Sequence, residues 1–202
     1  MEVLEKHELL EVCMEVLEEQ EFLELALPWD HQCKGMESEQ DCGIDPQELA
    51  KSQAVLKDYA GVLSYIKGQL APFSHQPDQD SKDAAFTLTN VVPQFKDLAN
   101  GYWKQYLSNM RKDADGCGEM YVITGVVPGE DSISESRVNK PSYIWTAVCC
   151  VHPSLHKTSW GFIADNTWNN LDRLSLRQLE QNLQVKYGKP INLFNGACYV
   201  YN

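Results

Sequence analysis

Hydrophobic positions recur along the chain at helical spacing in some stretches and alternate in others. Over residues 2–27, EVLEKHELLEVCMEVLEEQEFLELAL, apolar side chains at Leu4, Leu9, Val12, Val16 and Leu17 follow a helical period, with glutamates over much of the remaining surface. This predicts an acidic amphipathic helix, a surface for an unknown protein partner or simply a solvated helix on or beside the domain. Residues 28–46 read as a loop, broken by Pro28, Gly35, Gly43 and Pro46, with Cys33 and Cys42 near enough to close a small ring. Asp45 is a good N-cap and Pro46 suits a first helical position, so a helix is expected from there to about Tyr59. AAFTLTNVV alternates and is rich in β-formers, which predicts a strand. FKDLANGYWKQYLSNM has helical period at Phe95, Leu98, Tyr102 and Tyr106, running through Gly101. EMYVITGVV, SYIWTAVCCV and SWGFIADN are three strand-like runs divided by turn residues, and SLRQLEQNLQVKYG is a helix with Ser175 and Gly188 as its end signals. The expected fold is α+β, a central, largely antiparallel sheet flanked by helices. Its division is an acidic segment over 1–44 and a domain over 45–202.

Composition adds one correction to this picture. The net charge of −12 is concentrated at one end. Residues 1–50 hold 15 acidic side chains against Lys6 and Lys34, a balance of −13, whereas 51–202 hold 14 acids and 15 bases, a balance of +1. A neutral body lacks the basic stripe that drives counterion release, so strong nucleic-acid binding is not expected. No apolar run approaches the roughly eighteen residues of a membrane span. The seven cysteines form no C-x-x-C pair, which disfavours a structural zinc site. Their number suits a disulfide-bonded extracellular or lumenal domain, yet no basic region followed by an apolar signal segment is visible at the N-terminus.

From about Asp45 onward, KDYAGVLSYIKGQLAP, AAFTLTNVVPQ, GYW, MYVITGVVPG, RVNKPSYIWTAVCC and SWGFIADN occur in an order that resembles the DNA/RNA non-specific endonuclease family. The likeness is greatest to its endonuclease domain-containing 1 protein group. It implies a ββα-metal (His-Me finger) site on an antiparallel sheet. In that family a histidine at a strand end takes a proton from the attacking water, and a hydrated magnesium ion stabilises the leaving oxygen. An asparagine on the following helix holds the ion, and an arginine beside the histidine grips the phosphate. The same resemblance implies a secreted, disulfide-bonded protein, with at least one bridge among Cys117, Cys149, Cys150 and Cys198.

On that frame IKGQL stands where the family has D-R-G-H-L, so Lys67 takes the arginine position and Gln69 the histidine position. An amide nitrogen has no basic lone pair, and Gln69 cannot act as general base. Lys67 keeps the charge without the planar fork. The metal-ligand position, four residues before Trp103 and five after Gln94, is Ala99. Asn100 follows one residue later, about 100° around a helix axis. Leu107 stands where the family has an acid. Asn90 is retained, at a position that in the family supports the core and substrate region. His75 is the nearest replacement base, Asp78, Asp80 and Asp83 are candidate cation ligands, and Trp103, Trp145 and Trp160 are candidate stacking surfaces whose simpler role is core. The expectation is a catalytically degenerate nuclease-like domain acting by binding or interaction, with magnesium implied by resemblance but not bound and with weak nucleic-acid affinity. The alternative is a divalent-metal-dependent nuclease that hydrolyses phosphodiesters through a displaced base.

Overall fold

The computed structural model describes residue 36, residues 38–40 and residues 43–199. The acidic helix expected over 2–27 and the ring between Cys33 and Cys42 lie outside the described residues. In chain order the elements are α1 (Pro46–Leu49), β1 (Tyr65–Gln69), α2 (Gln79–Ala84), β2 (Val91–Phe95), α3 (Lys96–Asn100) and α4 (Tyr102–Ala114). Then follow β3 (Glu119–Val127), the short pair β4 (Ser132–Ile133) and β5 (Val138–Asn139), β6 (Tyr143–Val151), β7 (Lys157–Asp165), β8 (Asp172–Leu174) and α5 (Leu176–Tyr187). The fold is α+β, as expected. β3, β6, β7 and β8 form an antiparallel sheet in that order, and β1 and β2 form a separate antiparallel ribbon.

β6 explains why its sequence is almost wholly apolar, Thr146 being the exception, with its hydroxyl bonded to that of Tyr106. Residues 144–150 are all buried, because both faces of the strand are covered. Successive side chains point to opposite faces. Trp145, Ala147 and Cys149 pack with Leu176, Leu179 and Leu183 of α5. Ile144 and Val148 pack with Trp103, Tyr106 and Met110 of α4. At Gly161 a Cβ would lie 2.5 Å from a methyl carbon of Leu179, so the absence of a side chain lets α5 sit close on β7. The adjacent cysteines follow the same alternation: Cys149 is bonded to Cys198, and Cys150 to Cys117. The expected bridge is thus two bridges, one serving each face.

Three elements differ from their sequence expectation. The helix expected from Asp45 to Tyr59 ends at Leu49, with a single 3₁₀ turn at Leu56–Tyr59. Arg137 draws the carbonyls of Ala50 and Gln53 to its guanidinium, 2.5 and 3.1 Å away, and so offers these groups a partner outside a helix. The strand expected over AAFTLTNVV begins only at Val91, because Thr87 bonds back to the Ala84 carbonyl and Leu88–Asn90 form a 3₁₀ turn. The long helix after β2 is two helices, broken at Gly101. There the Asn169 side chain caps the Tyr102 amide at 2.9 Å and lies 2.3 Å from where a Cβ on Gly101 would be.

Arg137 also pairs with the buried Asp58, Nε to Oδ1 at 3.0 Å, which ties the 45–60 segment to the β4–β5 hairpin. Burial works to raise the Asp58 pKa, but hydrogen bonds from Arg137, Ser134 and the Val55 amide outweigh it, and the net shift is downward. A depressed folded-state pKa stabilises the fold above the unfolded carboxylate value and loses that contribution as pH falls through the folded value. Unfolding midpoints measured from pH 5 downward are therefore expected to drop below about pH 4, and Asp58→Asn is expected to flatten that part of the profile.

One side chain bonds the ribbon's main chain to the sheet. Asn166, at the end of β7 and fully buried, accepts from the Phe95 amide at 2.8 Å and donates to the carbonyls of Pro93 and Pro141, each at 2.9 Å. The first two partners belong to β2 and the third lies just before β6. α3 then packs back against β1 and β2.

Candidate active site

The ribbon places Gln69 at the last position of β1, opposite Val91, with Lys67 opposite Pro93. Gly68 between them has to be glycine, because a Cβ there would lie 2.5 Å from both Cβ and Oε1 of the buried Gln94. Lys67 is exposed and its ammonium has no partner among the described residues.

The Gln69 carboxamide is engaged at both ends. Nε2 donates to the Ala85 carbonyl at 3.0 Å, and Oε1 accepts from the Phe73 amide at 3.1 Å. Asn90, itself buried, donates from Nδ2 to the same Ala85 carbonyl at 2.9 Å and to the Ala71 carbonyl at 2.8 Å. Its Oδ1 accepts from the Ala71 amide at 3.0 Å. A carbonyl has two lone pairs, and here two side-chain amides use them. The connection between β1 and β2 is therefore clamped at Ala85, with Gln69 as a structural strut. Replacing Gln69 by Ala removes two partly exposed bonds, for an expected loss of about 1–2 kcal/mol. Amide exchange at Phe73 should accelerate in that variant while exchange in β6 follows only the global loss of stability.

The other candidates are dispersed. Ala99, half-buried on α3, presents a methyl group. Asn100 is exposed, and its Nδ2 donates to the Lys96 carbonyl one turn back at 2.9 Å. Magnesium keeps several waters and is commonly held by only one or two protein oxygens, so a single missing ligand matters. At the position in question carbon replaces oxygen, and the neighbouring carboxamide is turned onto its own helix. These residues do not fit the ion. Among the described residues no group of three or more His, Cys, Asp or Glu side chains is arranged to hold a metal.

His75 is half-buried, and its Nε2 lies 3.1 Å from the Leu107 carbonyl. A carbonyl only accepts, so the ring nitrogen facing it carries the proton and His75 braces the 73–77 turn against α4. Asp78 caps α2, accepting from the amide and hydroxyl of Ser81, and these bonds hold its pKa below the ordinary carboxylate value. Asp83 accepts from Gln79. Trp103 and Trp145 are core, the latter donating to the Tyr187 hydroxyl at 2.9 Å. Two features gave no sequence signal: Ala85, whose main chain is the hub of the clamp, and Trp168, which is 71 % exposed.

Residues 44–193 match the family model described as DNA/RNA non-specific endonuclease. Among solved structures the chain is similar to one in the crystal structure of the EndoG/EndoGI complex, a study of the mechanism of EndoG inhibition, with 17 % identity and a TM-score of 0.57. That alignment covers 67 % of this chain and 61 % of the other, less than two thirds of its length, and at this identity it speaks for the fold alone. No curated protein matches the chain.

Proposed function

The chain belongs to the DNA/RNA non-specific endonuclease family, and on that premise we propose that it is a degenerate member, a nuclease-like domain that no longer cuts phosphodiesters and acts as a binding or interaction module. The observation that carries this reading is the Gln69 carboxamide, bonded at both ends to main chain in the place of the family's general base. An amide accepts no proton from water at neutral pH, and this one is already occupied in holding a loop. Ala99 supports the same reading from the metal side, since a methyl group cannot bind a cation. Lys67, two residues before Gln69 on β1, retains a charge and gives residual, weak attraction to phosphate.

The resemblance to secreted, disulfide-bonded relatives is supported by the two bridges among four of the seven cysteines. Such bridges persist in oxidising compartments, and we extend the reading to a protein that works there. A displaced base at His75 is limited to Nδ1, because its Nε2–H is committed to Leu107.

The metal half of the reading is tested by titrating the full chain with manganese as a magnesium substitute. Calorimetry should show no saturable site tighter than the order of 1 mM, and Ala99→Asn should tighten whatever weak binding remains. A single site in the micromolar range on the unaltered protein, insensitive to Ala99, would contradict it.

A further inference from the structure

A cleft of about 800 Å³ opens between the turn at Phe73–His75, α2, the second half of α4 and the start of β3. Its volume lies in the range of small-molecule sites. Neither Gln69 nor Ala99 lines it, although Phe73, whose amide donates to Gln69, does. Its apolar wall includes Phe73, Met110, Met120 and Val122. Phe73 and Val122 are 46 % and 42 % exposed, so part of this wall faces water. Two methionines make the wall adaptable in shape.

The charge on the cleft has one sign. Lys82 and Arg111 stand at its rim, His75 is its other ionisable group, and among the described residues no carboxylate lines it. Neither Lys82 nor Arg111 is in an ion pair among the described residues. Asp78 acts on Lys82 at longer range, but its carboxylate is committed to capping α2. The His75 bond to Leu107 fixes the turn against α4, so one wall is held in place before any ligand arrives.

We propose that this cleft binds a small amphipathic anion, an apolar body carrying a single carboxylate or sulfonate. The body covers Phe73, Met120 and Val122 and removes their surface from water. The acidic head meets Lys82 and Arg111, where a guanidinium accepts two oxygens in parallel. Two cations beside an apolar wall match one acidic head on a greasy body. They do not match a polynucleotide, whose repeated phosphates call for a basic track.

The probe is anilinonaphthalene sulfonate, titrated by fluorescence into the full chain with its native near-UV circular dichroism checked alongside. One saturable site per chain is expected, with Kd on the order of 10 μM. Lys82→Glu and Arg111→Glu, both rim substitutions, should each weaken it at least about tenfold. Val122→Glu, on the apolar wall, should do the same. Dodecanoate should displace the probe, and dodecyltrimethylammonium, equally apolar but cationic, should not. The proposal is overturned by the absence of saturable binding, by affinity that survives both charge reversals, by equal displacement by the cation, or by displacement by a single-stranded oligonucleotide and not by dodecanoate.

Discussion

Asn166→Ala is expected to destabilise the protein by about 3–4 kcal/mol, among the largest losses available to a single surface-neutral change. The side chain is fully buried and makes three bonds to main chain in two separate parts of the fold. Each bond contributes about 1 kcal/mol net, and truncation also leaves the part-buried Phe95 amide and two buried carbonyls without that partner. In a domain of this size the loss corresponds to a fall in Tm of roughly 10 °C. Asn166→Asp is not expected to rescue it: a carboxylate still accepts from Phe95 but faces the carbonyls of Pro93 and Pro141 with no donor. Asn170→Ala, which removes one exposed bond to Asp172, serves as the comparison and should change stability by less than about 0.5 kcal/mol. Amide exchange in β1 and β2 should rise further than exchange in β6, because Asn166 joins the ribbon to the sheet. Equal acceleration in all three strands would mean that the ribbon and sheet unfold as one unit regardless of this residue.

The second large effect concerns chemistry. Restoring the family's base and metal ligand together, as Gln69→His with Ala99→Asn, is expected to produce magnesium-dependent nicking of supercoiled plasmid at least about 100-fold above the unaltered chain. Neither single change should suffice, since a base without the ion leaves the departing oxygen unstabilised, and an ion without the base leaves the water unactivated. The gain will stay well short of a natural enzyme. Lys67 supplies a point charge where a planar fork gripped phosphate, and Leu107 still stands in the acid's place. Gln69→His also gives up the clamp on Ala85 and Phe73, so the double variant should be less stable than the parent by about 1–2 kcal/mol. Stability and activity thus move in opposite directions at one residue, as expected for a position that has passed from chemistry to structure.

Much of the sheet was readable from the sequence because its signals are strong and local. β6 is a largely apolar run, β3 and β7 are bounded by turn residues, and α5 carries both Ser175 and Gly188 at its ends. The breaks were not readable, since their causes lie far along the chain. Arg137 ends the first helix from 84–87 residues away, and Asn169 splits the α3–α4 helix from 67 residues away. Gly101 permits that split but does not require it. The candidate site was partly legible in the same sense. A glutamine at a base position shows which atom is missing, but not that its amide spans Ala85 and Phe73. Main-chain hubs leave no mark on residue identity, and Asn166 looked like an ordinary polar residue closing a strand, 71 residues from the amide it caps.

The proposed loss of the hydrolytic step is open to direct measurement. The most direct test is to incubate the unaltered full chain with supercoiled plasmid and magnesium or manganese, beside an EDTA control and the His75→Ala variant. The plasmid is expected to remain supercoiled, equally so with metal and with EDTA. Metal-dependent, EDTA-sensitive conversion to open circles by the unaltered protein would contradict it, and loss of that activity in His75→Ala would identify the displaced base.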